Sequence, residues 1–299
     1  MKRNFLELIC RQMYCYFFAN RIIGKYPQVK AKDYRVNLFD YHPDLECPNL
    51  CINRSRYNLG DYLGFVVAEF MLEKKGLTLD TWVPQIKHMN SVGATIFSSY
   101  QITTIWGSGV HHSEGIFLKQ LHYYPFRRLD IRSVRGPLSR EVLLKMGHKC
   151  PEVYGDPAIL MPFIYQPHVN KTNEILVIAQ LRTEMKFKAE HPDLNMISMN
   201  TNDYRTVIDA IASSRKVISS SLHGLILAEA YGVPAVIFRG LAKNVDFKYH
   251  DYYTSTGRYD VHLADTFEEA CVMEPQPLPD LKPLQEAVMK TFPYDLWNQ

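Results

Sequence analysis

The chain lacks several features that would assign it quickly, and each absence removes a class. No apolar run is long enough to span a bilayer. The stretch from Phe5 to Phe18 is interrupted by Glu7 and Arg11, and no small-residue cleavage site follows, so it reads as neither a membrane span nor a secretory signal. No sign of charge dominates. Thirty-four Lys and Arg against 31 Asp and Glu leave a net charge of +3, spread along the chain, which is not the footprint of a nucleic-acid-binding protein but leaves room for a local basic pocket. Cysteine is sparse, at positions 10, 15, 47, 51, 150 and 271. Cys47 and Cys51 are not followed by a second pair at zinc-ribbon spacing, so the six read as reduced thiols in a cytosolic protein. No repeat or low-complexity tract is present. The G-x-S-x-G elbow and the H-E-x-x-H helix are both missing, which weakens hydrolase and metalloprotease readings.

What is present is alternation. At 299 residues and 46% hydrophobic, the chain can build two cores of ordinary size. Tyr34 to Phe39 alternates like a strand, and Asp61 to Lys75 reads as a helix closed by Gly76. Ala94 to Phe97, Thr103 to Trp106 and Asp130 to Val134 read as strands. Leu138 to Met146 is a helix, with Pro137 at its first position, and Glu152 to Tyr154 resumes a strand. Pro and polar residues between Pro162 and Asn173 mark a boundary. Beyond it come strands at Ile175 to Ala179, Leu194 to Met199, Lys216 to Ser219 and Ala235 to Phe238. The intervening helices start at Asp203 and Leu222, the latter closed by Gly232. This pattern predicts an α/β protein with parallel sheets in two domains, 1–165 and 166–299, the second ending in a C-terminal helix. Ligands then bind in the turns that follow the strands. The first 26 residues read as an amphipathic packing helix, or as a helix lying on a membrane face with Lys2, Arg3, Arg11, Arg21 and Lys25 toward the headgroups.

The post-strand turns hold the candidate chemistry. Ser219-Ser220-Ser221-Leu222-His223-Gly224 joins a strand to a helix whose first N–H groups can face an anion. Ser221 is a cap, a donor to a phosphate oxygen, or both. His223 in the first turn is a structural histidine or a proton carrier. Arg182 stands just beyond a buried strand, as a surface residue or as a guanidinium gripping a carboxylate or phosphate. Asn58-Leu59-Gly60-Asp61 opens a helix. There Asp61 caps the helix, or Asn58 and Asp61 bind sugar hydroxyls with Asp61 accepting a proton. The loop Trp106-Gly107-Ser108-Gly109-Val110-His111-His112 lacks the Rossmann glycine spacing and the P-loop lysine. His111 and His112 are candidates for acceptor binding but, being adjacent, a poor metal pair. Arg135, in Arg132-Ser133-Val134-Arg135-Gly136-Pro137, either reaches a cleft or pairs with an acid such as Asp156.

Taken in order, these motifs resemble the polysaccharide pyruvyl transferase family, from Asn58 to about Phe238. The similarity runs through Asn58-Leu59-Gly60-Asp61, Gly107-Ser108-Gly109, Val134-Arg135-Gly136-Pro137, Asp156-Pro157, Ser221-Leu222-His223-Gly224 and Gly232-Val233-Pro234. The resemblance implies two Rossmann-like domains facing across a cleft, GT-B-like. It implies phosphoenolpyruvate as co-substrate rather than a cofactor, and a sugar acceptor that is lipid-linked, nucleotide-linked or a finished polymer; a mechanism of protonation and hydroxyl addition on that donor needs no metal. His223 maps to the family's essential histidine. Arg182, with Ser221, Leu222 and Arg135, falls on the donor side, and Asn58, Asp61, His111 and His112 on the acceptor side. The sequence departs from the pattern at Ser221, where the family often has Arg. Either Ser221 and the helix start suffice, or Arg135 or another basic residue compensates. A nucleotide-sugar glycosyltransferase of the same architecture and a non-catalytic sugar- or anion-binding protein are the alternatives, because function resides in the site and not the fold. The expected place of work is the cytoplasm, or the inner face of its membrane.

Overall fold

The computed structural model describes residues 36–38, 58–79, 81, 87–96, 103–111, 129–239 and 246–297. The readings of residues 1–26, of Cys10, Cys15, Cys47 and Cys51, and of His112 lie outside them. Two small parallel sheets organise a mixed α/β chain. The first has the order β1 (Val36–Leu38), β2 (Lys87–Asn90), β3 (Thr103–Trp106) and β4 (Leu129–Ser133). The second runs β5 (Asn173–Ile178), β6 (Ser214–Ser219) and β7 (Ala235–Ile237). The described α-helices are α1 (Leu59–Glu73), α2 (Pro137–Lys145), α3 (Glu184–Glu190), α4 (Tyr204–Ala212), α5 (Leu222–Ala230), α6 (Asp246–Ser255), α7 (Phe267–Val272) and α8 (Lys282–Lys290). None is long and apolar enough to cross a membrane.

Local chemistry explains most of these elements. β7 is buried at every position and β6 over Val217 to Ser219, as parallel strands covered on both faces require. Asp203 starts α4 by accepting from the Thr206 N–H, and Val207, Ile208 and Ile211 then form its inward stripe. α5 has no such stripe. It is buried nearly all round, from Leu222 to Glu229, which marks it as a central helix.

Where the expected strands fail, a side chain or turn has taken the backbone's partners. Ala94 is in a bend, and Gly93 holds φ +95°. The Ser108 hydroxyl donates to the Gly93 carbonyl and accepts from the Thr95 N–H, so this segment does not join the ladder. The strand of that region is β2 instead, a few residues earlier. Glu152 to Tyr154 and Leu194 to Met199 contribute only the single bridges Val134–Tyr154 and Val177–Met196.

One core cluster reaches both sheets. A 3₁₀ helix, Pro157–Phe163, packs between α1 and α5, bringing Leu59, Leu63 and Trp106 into the same cluster as Ile159, Leu176 and Leu225. Later elements return to the first sheet's side. α6 packs on α2, the Trp106 indole N–H donates to the Val288 carbonyl at 2.9 Å, and the Tyr294 hydroxyl donates to the Met71 carbonyl at 2.8 Å. Each Leu or Ile buried in this junction contributes roughly 1.5–3 kcal/mol. The loops between the sheets therefore rest on well-packed supports.

Candidate active site

The start of α1 supplies the first polar group. The helix begins at Leu59, two residues before the expected start, so Asn58 and not Asp61 holds the cap position. Asp61 lies in the first turn, buried, and its Oδ2 accepts from the Asn58 amide at 2.8 Å. The loop after β2 closes over it. A Cβ at Gly93 would overlap Asp61 Oδ1, and the positive φ there is one that residues with side chains rarely adopt.

The same loop reaches a second carboxylate. The Gly93 N–H lies 3.5 Å from Asp156 Oδ2, while Asp156 Oδ1 accepts from the Ala158 N–H at 3.0 Å and caps the 3₁₀ helix. Asp156 is 0% exposed, and the His223 imidazole, 12% exposed, places Nε2 3.7 Å from Asp156 Oδ2. That nitrogen is buried with no hydrogen-bond partner. The ring lies on the start of α1 so closely that a Cβ at Gly60 would overlap it. Asn58 and Asp61, Asp156 and His223 thus come from three separated segments into one acid–base corner.

His223 is in the first turn of α5. Ser221 occupies the cap position with extended backbone, but its side chain makes no capping bond. Its N–H donates instead to the Ser219 hydroxyl at 3.0 Å. The hydroxyl of Ser221 and the first-turn N–H groups, Leu222 among them, are therefore positioned to receive an anion.

Arg135 differs from the sequence expectation in its partner. Asp156 is not its acid. The guanidinium is 0% exposed and donates through Nε to Asp251 Oδ2 at 3.0 Å, with Asp251 equally buried. Nη2 donates to the Val110 carbonyl, and the group lies flat against Gly109. Asp251 also accepts from the Ser139 N–H at 2.8 Å and from the Ser139 hydroxyl at 2.6 Å. This network fastens α6 to the start of α2. Nη1 alone is buried without a partner.

Three residues before Asp251, on the same side of α6, stands Lys248, 8% exposed. Its ammonium lies 4.8 Å from the Tyr249 ring centre, and the Tyr249 hydroxyl donates to the Ser220 carbonyl at 2.7 Å, beside the start of α5. Burial, followed by the charges of Arg135 and Arg182, pushes Lys248 down from 10.5 to about 8. Arg182 is exposed in the turn after β5. That turn is tied to α5 by the Gln180 N–H, which donates to the Ser220 hydroxyl at 2.9 Å. His111 is half-buried just beyond Val110.

Sequence reasoning missed Lys248, Asp251 and the pairing of Asp156 with His223. A faint signal existed for the first two. Tyr249, Tyr252 and Tyr253 repeat at helical spacing and form the buried face of α6, which carries Lys248 and Asp251 inward with it. Among the described residues, no group of three or more His, Cys, Asp or Glu side chains is arranged to hold a metal ion.

The chain is similar to several known proteins. The crystal structure of a functionally uncharacterized protein from Klebsiella pneumoniae is 11% identical, covers 78% of this chain and 94% of its own, and superposes with a TM-score of 0.44. The uncharacterized protein L143 of Acanthamoeba polyphaga mimivirus is 27% identical over 214 residues, 67% of this chain and 71% of that protein. The family model for polysaccharide pyruvyl transferases matches residues 78–240, a span that contains His223, Asp156, Arg135 and Arg182. Such a match implies a transferase of pyruvyl groups in polysaccharide biosynthesis, with a sugar as acceptor. Matched over more than half of its length, the chain belongs to the polysaccharide pyruvyl transferase family.

Proposed function

We propose that the protein moves the enolpyruvyl group of phosphoenolpyruvate onto two hydroxyls of one sugar, forming a pyruvate ketal and releasing phosphate. The observation that carries this reading is the meeting, at one place, of a histidine–carboxylate pair with an anion-receptive helix start: His223 beside Asp156, and Ser221 with Leu222 at the head of α5. Membership in the family supports the pyruvyl chemistry.

In the proposed sequence, the donor's phosphate and carboxylate lie against Arg182, the Ser221 hydroxyl and the Leu222 N–H, with Arg135 behind them. His223 gives a proton to the donor's methylene carbon, and positive charge develops at the adjacent carbon. One sugar hydroxyl adds there and gives its proton to Asp61. The carbon–oxygen bond to phosphate then breaks, and the second hydroxyl closes the ketal. Of the two hydroxyl protons, one restores His223 for the proton it gave to carbon and the other leaves with phosphate, which returns Asp61 and His223 to their starting states. Asp156 holds the imidazole in position, and preorganised cations stabilise charge on the departing phosphate. No step calls for a metal. Asn58, Asp61, His111 and His112 form the acceptor side.

The arrangement belonging to this reading is GT-B-like, with residues 1–165 serving the acceptor and 166–299 the donor. Work at the inner membrane face on a lipid-linked sugar, with contact through the first 26 residues, completes the proposal. The test is phosphate release from phosphoenolpyruvate with a panel of simple and lipid-linked glycosides, with mass detection of the product. A donor-dependent gain of one ketal-linked pyruvate, lost in His223→Ala, is expected. Turnover of a sugar nucleotide instead would make the protein a glycosyltransferase. Ligand binding without product, unaffected by loss of His223, would make it a binding protein.

A further inference from the structure

We propose that Lys248 is a donor-binding residue, the cation that receives a phosphate-bearing anion at the head of α5. On the reading given above, from which this inference extends, that anion is the phosphate of phosphoenolpyruvate.

The argument starts from what surrounds the ammonium. Lys248 is 8% exposed, yet among the described residues it has no carboxylate partner and no hydrogen-bond acceptor, and its ammonium faces the Tyr249 ring. Burial, and after it the like charges of Arg135 and Arg182, disfavour its charged form. The nearest acid on its helix is Asp251, whose oxygens already receive Arg135 Nε, the Ser139 N–H and the Ser139 hydroxyl. Asp246, also on α6, pairs with Arg239. A buried ammonium placed beside guanidinium groups without a counter-ion is unfavourable, and burial of a charge is ordinarily offset by pairing. The uncompensated charge is thus provision for an anion that the protein does not itself contain.

Position identifies which anion. The Tyr249 hydroxyl holds the residue next to Lys248 against the Ser220 carbonyl. The ring that the ammonium faces at 4.8 Å is thereby anchored one residue before Ser221, the cap of α5, whose side chain makes no capping bond. Arg135 Nη1, buried and unpartnered, adds a donor behind it. A compact, fully charged ammonium with three rotatable donors suits a tetrahedral oxyanion, and a helix start supplies the complementary N–H groups. This set of groups fits a phosphate monoester better than a neutral sugar.

The test is calorimetric titration of the full chain at pH 7 with phosphoenolpyruvate and, separately, with inorganic phosphate. Wild type is compared with Lys248→Met, Lys248→Arg and His223→Ala. Lys248→Met is expected to weaken both ligands by about 10- to 100-fold, the range for losing a hydrogen bond to a charged group. Lys248→Arg should recover part of the loss, and His223→Ala should keep the affinity while losing turnover. Wild-type kcat/KM for the donor should fall as pH rises through about 8, and that limb should move upward in Lys248→Arg. Unchanged affinity in a folded Lys248→Met protein overturns the proposal, as does a wild type that binds neither ligand. Lys248-dependent binding of inorganic phosphate without binding of phosphoenolpyruvate would uphold the anion site and reject the donor assignment. Should Lys248→Met not fold, Lys248→Gln carries the same comparison.

Discussion

The two corners of the site are built on opposite terms. In the acid–base corner each carboxylate has a donor from its own neighbourhood: Asn58 for Asp61 and the Ala158 N–H for Asp156. The cation corner holds two buried positive groups that are treated differently. Arg135 is locked to Asp251, Ser139 is drawn into the same network, and the group acts as scaffolding between α2 and α6. Lys248, one helical turn from Asp251, has no counter-charge among the described residues. A satisfied internal charge organises the fold, whereas an unsatisfied one marks a place where a ligand completes the structure.

The largest effect tests the acid–base corner. His223→Ala should lower phosphate release by about 10²–10⁴-fold, the usual range for a positioned proton donor. Its urea midpoint should stay close to that of wild type. A variant that kept near-normal turnover would reduce this corner to packing. Asp251→Ala tests the scaffold side. Removing one partner of a buried ion pair leaves the guanidinium uncompensated, at a cost of about 3–5 kcal/mol in unfolding free energy. A loss below about 1 kcal/mol would mean that Arg135 is neutralised by something other than Asp251, and the contrast with Lys248 would dissolve.

Gly60→Ala sharpens the comparison by opposing local and tertiary preference. Within a helix, Ala is favoured over Gly by about 1 kcal/mol. The new methyl would nevertheless meet the His223 ring, so the ring must leave its place beside Asp156. Displacement of a reacting group by about 1 Å costs about 10²-fold in rate. Reduced turnover with retained thermal stability is the expected pair of results, read by phosphate release and a melting curve. Unaltered turnover would mean that the ring's contact with α1 is not what aims it.

The tests fall on residues of unequal legibility. β5 to β7 were readable because buried parallel strands leave apolar runs, and α4 because Asp203 declares its start. β2, Lys-His-Met-Asn, carries no such run. Pairing with β1 and β3 makes it a strand. His223, Arg182 and Arg135 were readable because each stands where a strand gives way to a turn. The partner of Arg135 was not, since Asp251 is 116 positions away and only the docking of α6 on α2 brings it close. Lys248 lies in Asp-Phe-Lys-Tyr-His-Asp, a run with the polarity of a surface helix. Its significance comes from burial, which is a property of the assembled fold. The residue proposed as the donor's cation thus lay beyond the last matching motif.

The smallest effect has the least common sign. Lys248 is held at about 8 in the folded protein, against an ordinary 10.5. Between those values the unfolded chain binds the extra proton, so this group's contribution to stability rises with pH through that window. Below pH 8 the charged form is carried at a cost, and at pH 7 the whole penalty is present. Lys248→Met should therefore stabilise the ligand-free protein at pH 7, by about 1–3 kcal/mol, and the advantage should shrink as pH approaches 10. Phosphate should reverse the order, raising the wild-type melting temperature by mass action and leaving the variant nearly unmoved. A Lys248→Met protein that is less stable than wild type at pH 7 without ligand would show that the ammonium is compensated inside the fold, and both buried cations would then be scaffolding.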